Sequence, residues 1–316
     1  MRKRFTLLLA ALVLVGLAAC NSNDDDGTPD IEIPGVTFDG DIDCCSAEEA
    51  LQVYKFLQTV RIIPELSTVI DGKYNVFVYS STGTFHTGYN DIFFVATKKK
   101  NGNYVKNFDI KNVTPLMYMV KMDMHHSTPV GAVESFDNGI LAVRRGWVSF
   151  LMNTSDAGSW TLAYNAKVLE GEGGIEATDI VVDALPEGQI WLKNFKVDDQ
   201  TYFLSLVNPT DWKTGTNEIV AYVSQKSQPI TTPYALAAER FTIEIDPRMP
   251  DMGNHTSPDN TVLTRQDDGS NRGTINLTMT GLWRIHLTVK DAEGNVVAGG
   301  DDLSDGYSSL FWDVTI

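Results

Sequence analysis

The sequence predicts an all-β protein that contains two tandem copies of one module and one short helix near the N-terminus. Three observations support this fold class. Short segments of alternating apolar and polar residues, such as 74–79 and 218–223, are separated by turns rich in Gly, Asn and Asp. Helical spacing of apolar residues stands out in one place, after Ser46. Residue matches recur at an offset of about 127 residues. Many short strands with little helix are typical of a β-sandwich or β-barrel.

Residues 1–19 have the pattern of a bacterial lipoprotein signal peptide. Basic residues at positions 2–4 precede an apolar stretch that is too short for a stable transmembrane helix. The step Leu17-Ala-Ala-Cys20 resembles a lipobox, in which the cysteine thiol is acylated and the cysteine becomes the new N-terminus. Cys20 is therefore the expected lipid anchor, and the membrane is an expected partner. A plain secretory signal is the alternative.

Residues 20–43 are expected to form an acidic flexible tether, because three consecutive aspartates (24–26) lie among small and polar residues. An acidic run shortly after a lipidated cysteine resembles the export signal of surface lipoproteins in Bacteroidetes. The expected localisation is the outer membrane, with the protein facing the cell exterior. Attachment on the periplasmic face is the alternative.

The charge of the chain excludes one class of partner. The 316 residues include 25 basic and 41 acidic residues, for a net charge of −16. Cleavage after residue 19 removes three basic residues and no acidic one, which changes the net charge to −19. A surface of this charge repels nucleic acid and anionic lipid headgroups, so a nucleic acid partner is not expected.

A short helical segment is expected within the lead-in over 44–70. Ser46 and Glu49 have the spacing of a capping box, and apolar residues then recur at helical spacing until Pro64. Cys44 and Cys45 precede this helix. Adjacent cysteines rarely bond to each other, because the eight-membered ring strains the peptide between them. A strained disulfide or redox pair, intermolecular pairing and a thiolate metal site all stay open. A structural or redox role is favoured over metal ligation, because no third cysteine is available to complete the site.

The strand-like segments from Asp71 onward divide into two domains, 71–168 and 190–316. A stretch rich in Gly and Glu over 169–189 is expected to link them. The matches at an offset of 127 residues are Gly88 with Gly215, Asn90 with Asn217, Ile92 with Ile219, and Met122 with Met249. Trp160 and Trp283 match at an offset of 123, which implies a shorter loop in the second copy and a core position for both residues.

Each copy contains a cluster of methionine and histidine with the chemistry of a copper site. The candidate ligands are Met122, Met124, His125 and His126 in the first copy and Met249, Met252 and His255 in the second. Thioether sulfur is soft, neutral and not lost to disulfide formation, so it suits Cu(I) outside the cytoplasm. Imidazole binds both oxidation states, which makes Cu(I) the favoured cofactor and leaves Cu(II) compatible.

Spacing limits which of these side chains can converge. In one extended strand, Met122 and Met124 point to one face and Met117 and Met119 to the other, so the four meet only if the chain bends. In the second copy, a proline and a glycine supply a turn that would bring the two methionines and His255 together. The alternative is that the methionines pack the end of a sandwich and the histidines cap a loop.

The second cluster and the strand after it resemble the YtkA-like and FixH-like domains. The residues that carry this resemblance are Met249, Pro250, Met252, Gly253 and His255, followed by Met279, Gly281, Trp283 and Ile285. The match covers residues 214–297 and is weaker over 88–168, where a His-His pair replaces the spaced histidine. Asn254, which separates Gly253 from His255, departs from the usual family pattern.

The resemblance implies a fold and a function. Members of these families are small extracytoplasmic immunoglobulin-like β-sandwiches associated with copper handling, so two tandem immunoglobulin-like sandwiches are expected here. It also implies a partner protein that donates copper to this protein or accepts copper from it, with haem-copper oxidases as the family example.

The sequence lacks the glycine loops, nucleophile elbow and zinc-binding helix that mark common enzyme families, so an enzyme is not expected. The expected function is a lipid-anchored extracytoplasmic protein that binds or transfers copper through its Met/His loops. The alternative is a surface interaction or adhesion lipoprotein that uses the same sandwiches without metal. Trp212 and Trp312 are its candidate exposed aromatic residues.

Overall fold

Strands make up most of the structure, as the alternating sequence pattern predicts. The computed structural model describes residues 32–37, 46–136, 140, 142–186, 189, 191–300 and 310–316. The expected signal peptide and lipid anchor (Cys20) lie outside the described residues, and so do Cys44 and Cys45. The all-β fold class with one short N-terminal helix is confirmed.

The predicted helix is α1 (Ala47–Leu57), and its N-terminus has both bonds of a capping box. The Glu49 amide donates to Ser46 Oγ at 3.3 Å, and the Ser46 amide donates to the Glu49 carboxylate at 2.7 Å. The rest of the expected lead-in is not helical. It forms two short strands and a 3-10 turn (Pro64–Leu66) at the edge of the first sheet, because its apolar residues are packed into the core there.

The first half of the chain, as far as it is described, contains thirteen strands. They are β1 (Arg61–Ile62), β2 (Thr68–Ile70), β3 (Tyr74–Ser80), β4 (Phe85–His86), β5 (Gly88–Lys98), β6 (Tyr104–Val105), β7 (Phe108–Met119), β8 (Met124–His126), β9 (Glu134–Ser135), β10 (Val143–Phe150), β11 (Gly158–Val168), β12 (Gly171–Ile180) and β13 (Val182–Asp183). One sheet has the order β1-β3-β5-β10-β9, with β2 beside β3 and β6 beside β5. The facing sheet has the order β12-β11-β7-β8, and β13 pairs with β4.

The described part of the second half contains ten strands and a 3-10 turn (Pro250–Met252). The strands are β14 (Leu192–Val197), β15 (Gln200–Asn208), β16 (Gly215–Gln225), β17 (Thr242–Met249), β18 (His255–Thr256), β19 (Thr264–Arg265), β20 (Ser270–Leu277), β21 (Leu282–Lys290), β22 (Val296–Gly299) and β23 (Phe311–Thr315). They form one sheet of order β14-β15-β16-β20-β19 and another of order β18-β17-β21-β22, with β23 also beside β21.

The two halves repeat one arrangement. In the first half, the sheet that contains β3, β5 and β10 in this order lies opposite the sheet that contains β7 and β11. In the second half, β15, β16 and β20 take the places of β3, β5 and β10, and β17 and β21 take those of β7 and β11. Each half encloses its own apolar core between its two sheets. Trp160 and Trp283 are completely buried in these cores, so the expectation that they anchor the cores is confirmed.

The predicted repeat of 127 residues appears in the hydrogen bonds at the start of β5 and β16. The buried Asn90 side chain donates to the carbonyls of His86 and Gly88 and accepts from the His86 amide. Asn217 makes the same three bonds, to the carbonyls of Lys213 and Gly215 and from the Lys213 amide. Both glycines have positive φ angles, of 87° and 90°, a conformation that favours glycine.

Residues 169–189, expected to be a linker, instead carry β12 and β13 of the first half. Strand β12 pairs with β11 along almost its whole length, and Ile180 and Val182 are buried in the first core. The glycines reflect close packing rather than flexibility. A Cβ atom at Gly174 would collide with the Tyr164 carbonyl, beside an irregularity in the β11–β12 register.

Part of the expected flexible tether is also packed. Ile33 is buried, and the Thr37 amide donates to the Asn101 carbonyl in the turn between β5 and β6. A Cβ atom at Gly102 in that turn would collide with the Gly35 carbonyl. Burial of an apolar side chain and backbone pairing hold residues 32–37 against the first half.

The sheet of β3, β5 and β10 in the first half faces the sheet of β15, β16 and β20 in the second. Across this interface the Trp147 and Tyr222 rings stack with centroids 4.7 Å apart. The buried Ser149 hydroxyl donates to the Ser205 hydroxyl at 2.7 Å. The chain from Glu32 onward accordingly forms one compact unit, in which the two sandwiches share an interface.

Candidate metal-binding hairpins

The first Met/His cluster lies on the hairpin of β7 and β8. Its cross-strand pairs are Met117 with His126, Tyr118 with His125, and Met119 with Met124. Directly opposite residues of an antiparallel pair share a face, and successive residues alternate between faces. Met117, Met119, Met124 and His126 therefore share one face, and His125 lies on the other.

The sequence allowed Met117 and Met119 to meet Met124 only if the chain bends, and the structure has that bend: the chain reverses direction over 120–123. The Met122 amide donates to the Met119 carbonyl at 3.3 Å within this turn. Met122 stands at the tip of the hairpin with 63% of its surface exposed.

His126 is oriented by its neighbours. Its Nδ1 atom lies 2.8 Å from the Ser127 carbonyl oxygen, and a carbonyl only accepts, so Nδ1 carries the proton. The Nε2 atom then has the free lone pair, an arrangement that is usual for a histidine that binds a metal. The ring lies edge-to-face against Trp160, with centroids 5.6 Å apart. Met117 belongs to the buried core cluster that contains Trp160.

His125 is separated from the thioethers. Its exposed ring packs on Tyr118 at 4.9 Å, on the opposite face of the hairpin. The Tyr118 hydroxyl donates to Asp123 at 3.0 Å, and this hydrogen bond raises the pKa of the tyrosine. Of the two adjacent histidines, the structure therefore brings His126, and not His125, beside the methionines.

The second cluster lies on the hairpin of β17 and β18, where Met249 is directly opposite His255. The chain turns through the predicted Pro250 and Gly253, and the Asn254 amide donates to the Met249 carbonyl at 3.0 Å. Gly253 and Asn254 have φ angles of 65° and 60°. Asn254, which departs from the family pattern, thus supplies a second left-handed position, and asparagine tolerates that conformation.

The three second-half candidates differ in burial. The Met249 side chain is only 4% exposed and lies in the same buried cluster as Trp283. His255 is exposed, with its ring centroid 6.3 Å from that of Trp283. Met252 is 58% exposed in the turn. Met249 and His255 are thus adjacent near Trp283, and Met252 lies at the hairpin tip.

The structure also corrects the match between Met122 and Met249. A Cβ atom at Gly158 would collide with the Met117 methyl group, and a Cβ atom at Gly281 would collide with the Met249 methyl group. Each glycine is followed two residues later by the buried tryptophan of its half. The equivalent of Met249 is therefore Met117. The sequence signal for this pair was Gly-x-Trp, which is present in both halves.

The methionines gather around the two tryptophans. The indole Nε1 atoms of Trp160 and Trp283 donate to the carbonyls of Met152 and Met279, each at 2.9 Å. The chain has nine methionines. Apart from Met1, every methionine either lies in one of the two hairpins or accepts one of these indole hydrogen bonds. They are Met117, Met119, Met122, Met124 and Met152 in the first half, and Met249, Met252 and Met279 in the second. Sequence reasoning missed Met152 and Met279 as partners of the tryptophans.

The donor atoms on the shared hairpin faces fit a soft cation. In each half a His nitrogen lies on the same face as thioether sulfur, a combination that suits Cu(I). In the part of the chain that is described, no group of three or more His, Cys, Asp or Glu side chains is placed to hold a metal ion. The described helices also include none that is long and apolar enough to cross a bilayer.

Comparisons with known proteins add little to this picture. No protein-family model matches the chain, and no curated protein matches it. Among solved structures, the chain is similar to the adhesin InvE of Yersinia pseudotuberculosis, with a TM-score of 0.22 and 10% identity over 74% of this chain and 55% of that chain. It is also similar to dimeric latent PorU of Porphyromonas gingivalis, with a TM-score of 0.23 and 13% identity over 82% of this chain and 24% of that one. The chain thus spans about half the length of InvE and a quarter of PorU.

Proposed function

We propose that this protein is a lipid-anchored extracytoplasmic protein that binds Cu(I) at its two Met/His hairpins and exchanges it with a partner protein. The observation that carries the proposal is the cross-strand pairing of a buried methionine with a histidine beside a buried tryptophan in both halves. The pairs are Met117 with His126 and Met249 with His255.

In the first hairpin, Met119, Met124 and His126 would hold the ion. They lie on one face in adjacent cross-strand pairs, with Met117 beside them in the core. In the second, Met249, Met252 and His255 would do so. Neutral thioether and imidazole donors stabilise Cu(I) without adding negative charge to the site.

The exposed tip of each hairpin supports copper transfer. Met252 is a donor of the second set, and Met122 lies at the tip of the first hairpin outside the donor set. Both are largely exposed, so a second protein can approach each hairpin at a thioether while the remaining donors still hold the ion. Ligand exchange through such a shared intermediate avoids release of the ion to water. A copper-donating or copper-accepting protein is the partner that this exposure favours.

Titration of the purified protein with Cu(I), against a competing chromophoric chelator, tests the proposal. We expect tight binding, and we expect the combined change Met252→Leu and His255→Ala to weaken the second site while leaving the fold intact, because both side chains are exposed. Met279→Leu is the matched control, since the Trp283 indole donates to the backbone carbonyl of Met279, which the substitution keeps. Failure of the unaltered protein to bind Cu(I) would contradict the proposal.

The alternative is a metal-free interaction or adhesion lipoprotein, and the placement of its candidate aromatic residues does not favour it. Trp312 is completely buried, and Trp212 packs against the second core. This corrects the expectation that both are exposed. Absence of Cu(I) binding in the titration would favour this alternative.

A further inference from the structure

The methionines of the two hairpins range from buried to exposed, with Met119 and Met124 between the extremes. Met117 and Met249, in the core beside the tryptophans, are 1% and 4% exposed. Met122 and Met252, in the turns at the hairpin tips, are 63% and 58% exposed. Each half therefore presents one thioether that a small oxidant reaches freely and keeps another that is protected by packing.

We infer that Met122 and Met252 are modification sites, oxidised to methionine sulfoxide before the other methionines, and that oxidation of Met252 releases copper from the second hairpin. The release step rests on the proposed function, whereas the order of oxidation rests on exposure alone. Exposure governs the oxidation of thioethers in folded proteins, because the oxidant must reach the sulfur lone pair.

The chemistry needs a peroxide as the oxidant. Sulfur attacks one oxygen of hydrogen peroxide, the O–O bond breaks, and an S–O bond forms. Sulfur loses two electrons, the second peroxide oxygen leaves as hydroxide, and this hydroxide takes up the proton that the sulfur-bound oxygen releases, which gives the sulfoxide and water. The product is a polar sulfoxide, and methionine sulfoxide reductases can reverse the change.

The surroundings of the tips allow this modification without damage to the fold. Met252 lies in a 3-10 turn with no buried residues, and Met122 lies in a turn whose residues are exposed. A sulfoxide at either position is solvated. Cu(I) prefers soft sulfur, so conversion of the Met252 thioether removes a proposed donor from the second hairpin. Oxidation at the buried Met117 or Met249 would instead place a polar group in the core.

Peptide mapping by mass spectrometry tests the order of oxidation. The apo protein is treated with limiting hydrogen peroxide, and the gain of one oxygen is followed at each methionine. We expect Met122 and Met252 to react first and Met117 and Met249 last. Oxidation of a buried methionine as fast as Met252, under conditions in which the protein stays folded by circular dichroism, would overturn the assignment.

Cu(I) titration of the oxidised protein tests the release step. Since even loss of an indirect metal contact costs about 10–100-fold in affinity, we expect oxidation to weaken Cu(I) binding at the second hairpin at least about tenfold. The variant Met122→Leu with Met252→Leu should show no further loss after the same treatment. Equal affinity before and after oxidation would overturn copper release and leave the proposed function standing. Failure of the untreated protein to bind Cu(I) would overturn both copper release and the proposed function. The peptide map would still show whether Met122 and Met252 are the modification sites.

Discussion

Met117 and Met249 occupy equivalent places in the two halves, although they were not matched by sequence offset. Each thioether methyl group lies within 2.7 Å of the position that a Cβ atom would take on a Gly-x-Trp glycine, and each methionine is directly opposite a histidine. The hairpins are therefore copies of one structural unit. Predictions about one half can be checked against its equivalent in the other.

The two adjacent histidines of the first hairpin should differ in copper binding. His126→Gln should weaken Cu(I) binding, because His126 shares a face with Met119 and Met124. His125→Gln is the matched control and should leave affinity unchanged, because that ring packs on Tyr118 on the opposite face. Chelator competition measures both. Equal losses from the two changes would contradict the face assignment.

The buried tryptophans should contribute similarly to stability in both halves. Trp283→Phe removes the indole donor to the Met279 carbonyl, and Trp160→Phe removes the donor to the Met152 carbonyl. Loss of each partly buried hydrogen bond should lower the free energy of unfolding by about 0.5–1.5 kcal/mol. Urea denaturation measures each loss. A negligible loss in either variant would show that the hydrogen bond is not needed there.

The interface between the halves should couple their stabilities. Trp147 and Tyr222 stack at 4.7 Å across it, and aromatic pairs of this kind contribute about 0.5–1.5 kcal/mol beyond burial. A double-mutant cycle with Trp147→Ala and Tyr222→Ala should give a coupling energy in this range. The unaltered protein should also unfold in a single transition. Two separate unfolding transitions, together with additive losses in the free energy of unfolding for the two substitutions, would show that the halves are independent.

His286 should make stability depend on pH. Burial lowers its pKa, Arg248 and Arg284 lower it further, and Asp246 and Asp313 oppose the shift. Because the folded state resists protonation, the unfolded state binds more protons as the pH falls below about 6.5, and the free energy of unfolding decreases. His286→Gln should reduce this decrease. Urea denaturation at pH values above and below about 6.5 checks it, and an identical pH dependence in the variant would contradict the assignment.

Sequence patterns predicted the parts of the fold that follow from local chemistry. The capping box placed the start of α1, alternation identified strands such as β3 and β16, and Asn90 with Asn217 revealed the repeat. The expected linker over 169–189 failed because glycine was taken as a sign of flexibility, whereas at Gly174 it permits close approach of two strands. Nothing in that composition distinguishes the two roles.

The sequence predicted which methionines and histidines form the candidate sites more closely than it predicted which of these side chains lie together. Met252 and His255 follow from the visible turn at Pro250 and Gly253, and the structure has that turn. The first hairpin has no such marker, so the reversal over 120–123 and the separation of His125 from His126 needed the strand register. A constant offset also misaligned Met122 with Met249, because the loops differ in length between the halves.

X-ray absorption spectroscopy at the copper edge of the Cu(I)-loaded protein tests the central claim most directly, because it identifies the atoms bound to the ion. The account predicts a three-coordinate Cu(I) environment with two sulfur ligands and one imidazole nitrogen. It also predicts loss of sulfur scattering at the second site in Met252→Leu. An environment of only oxygen and nitrogen ligands, or a protein that retains no copper, would contradict it.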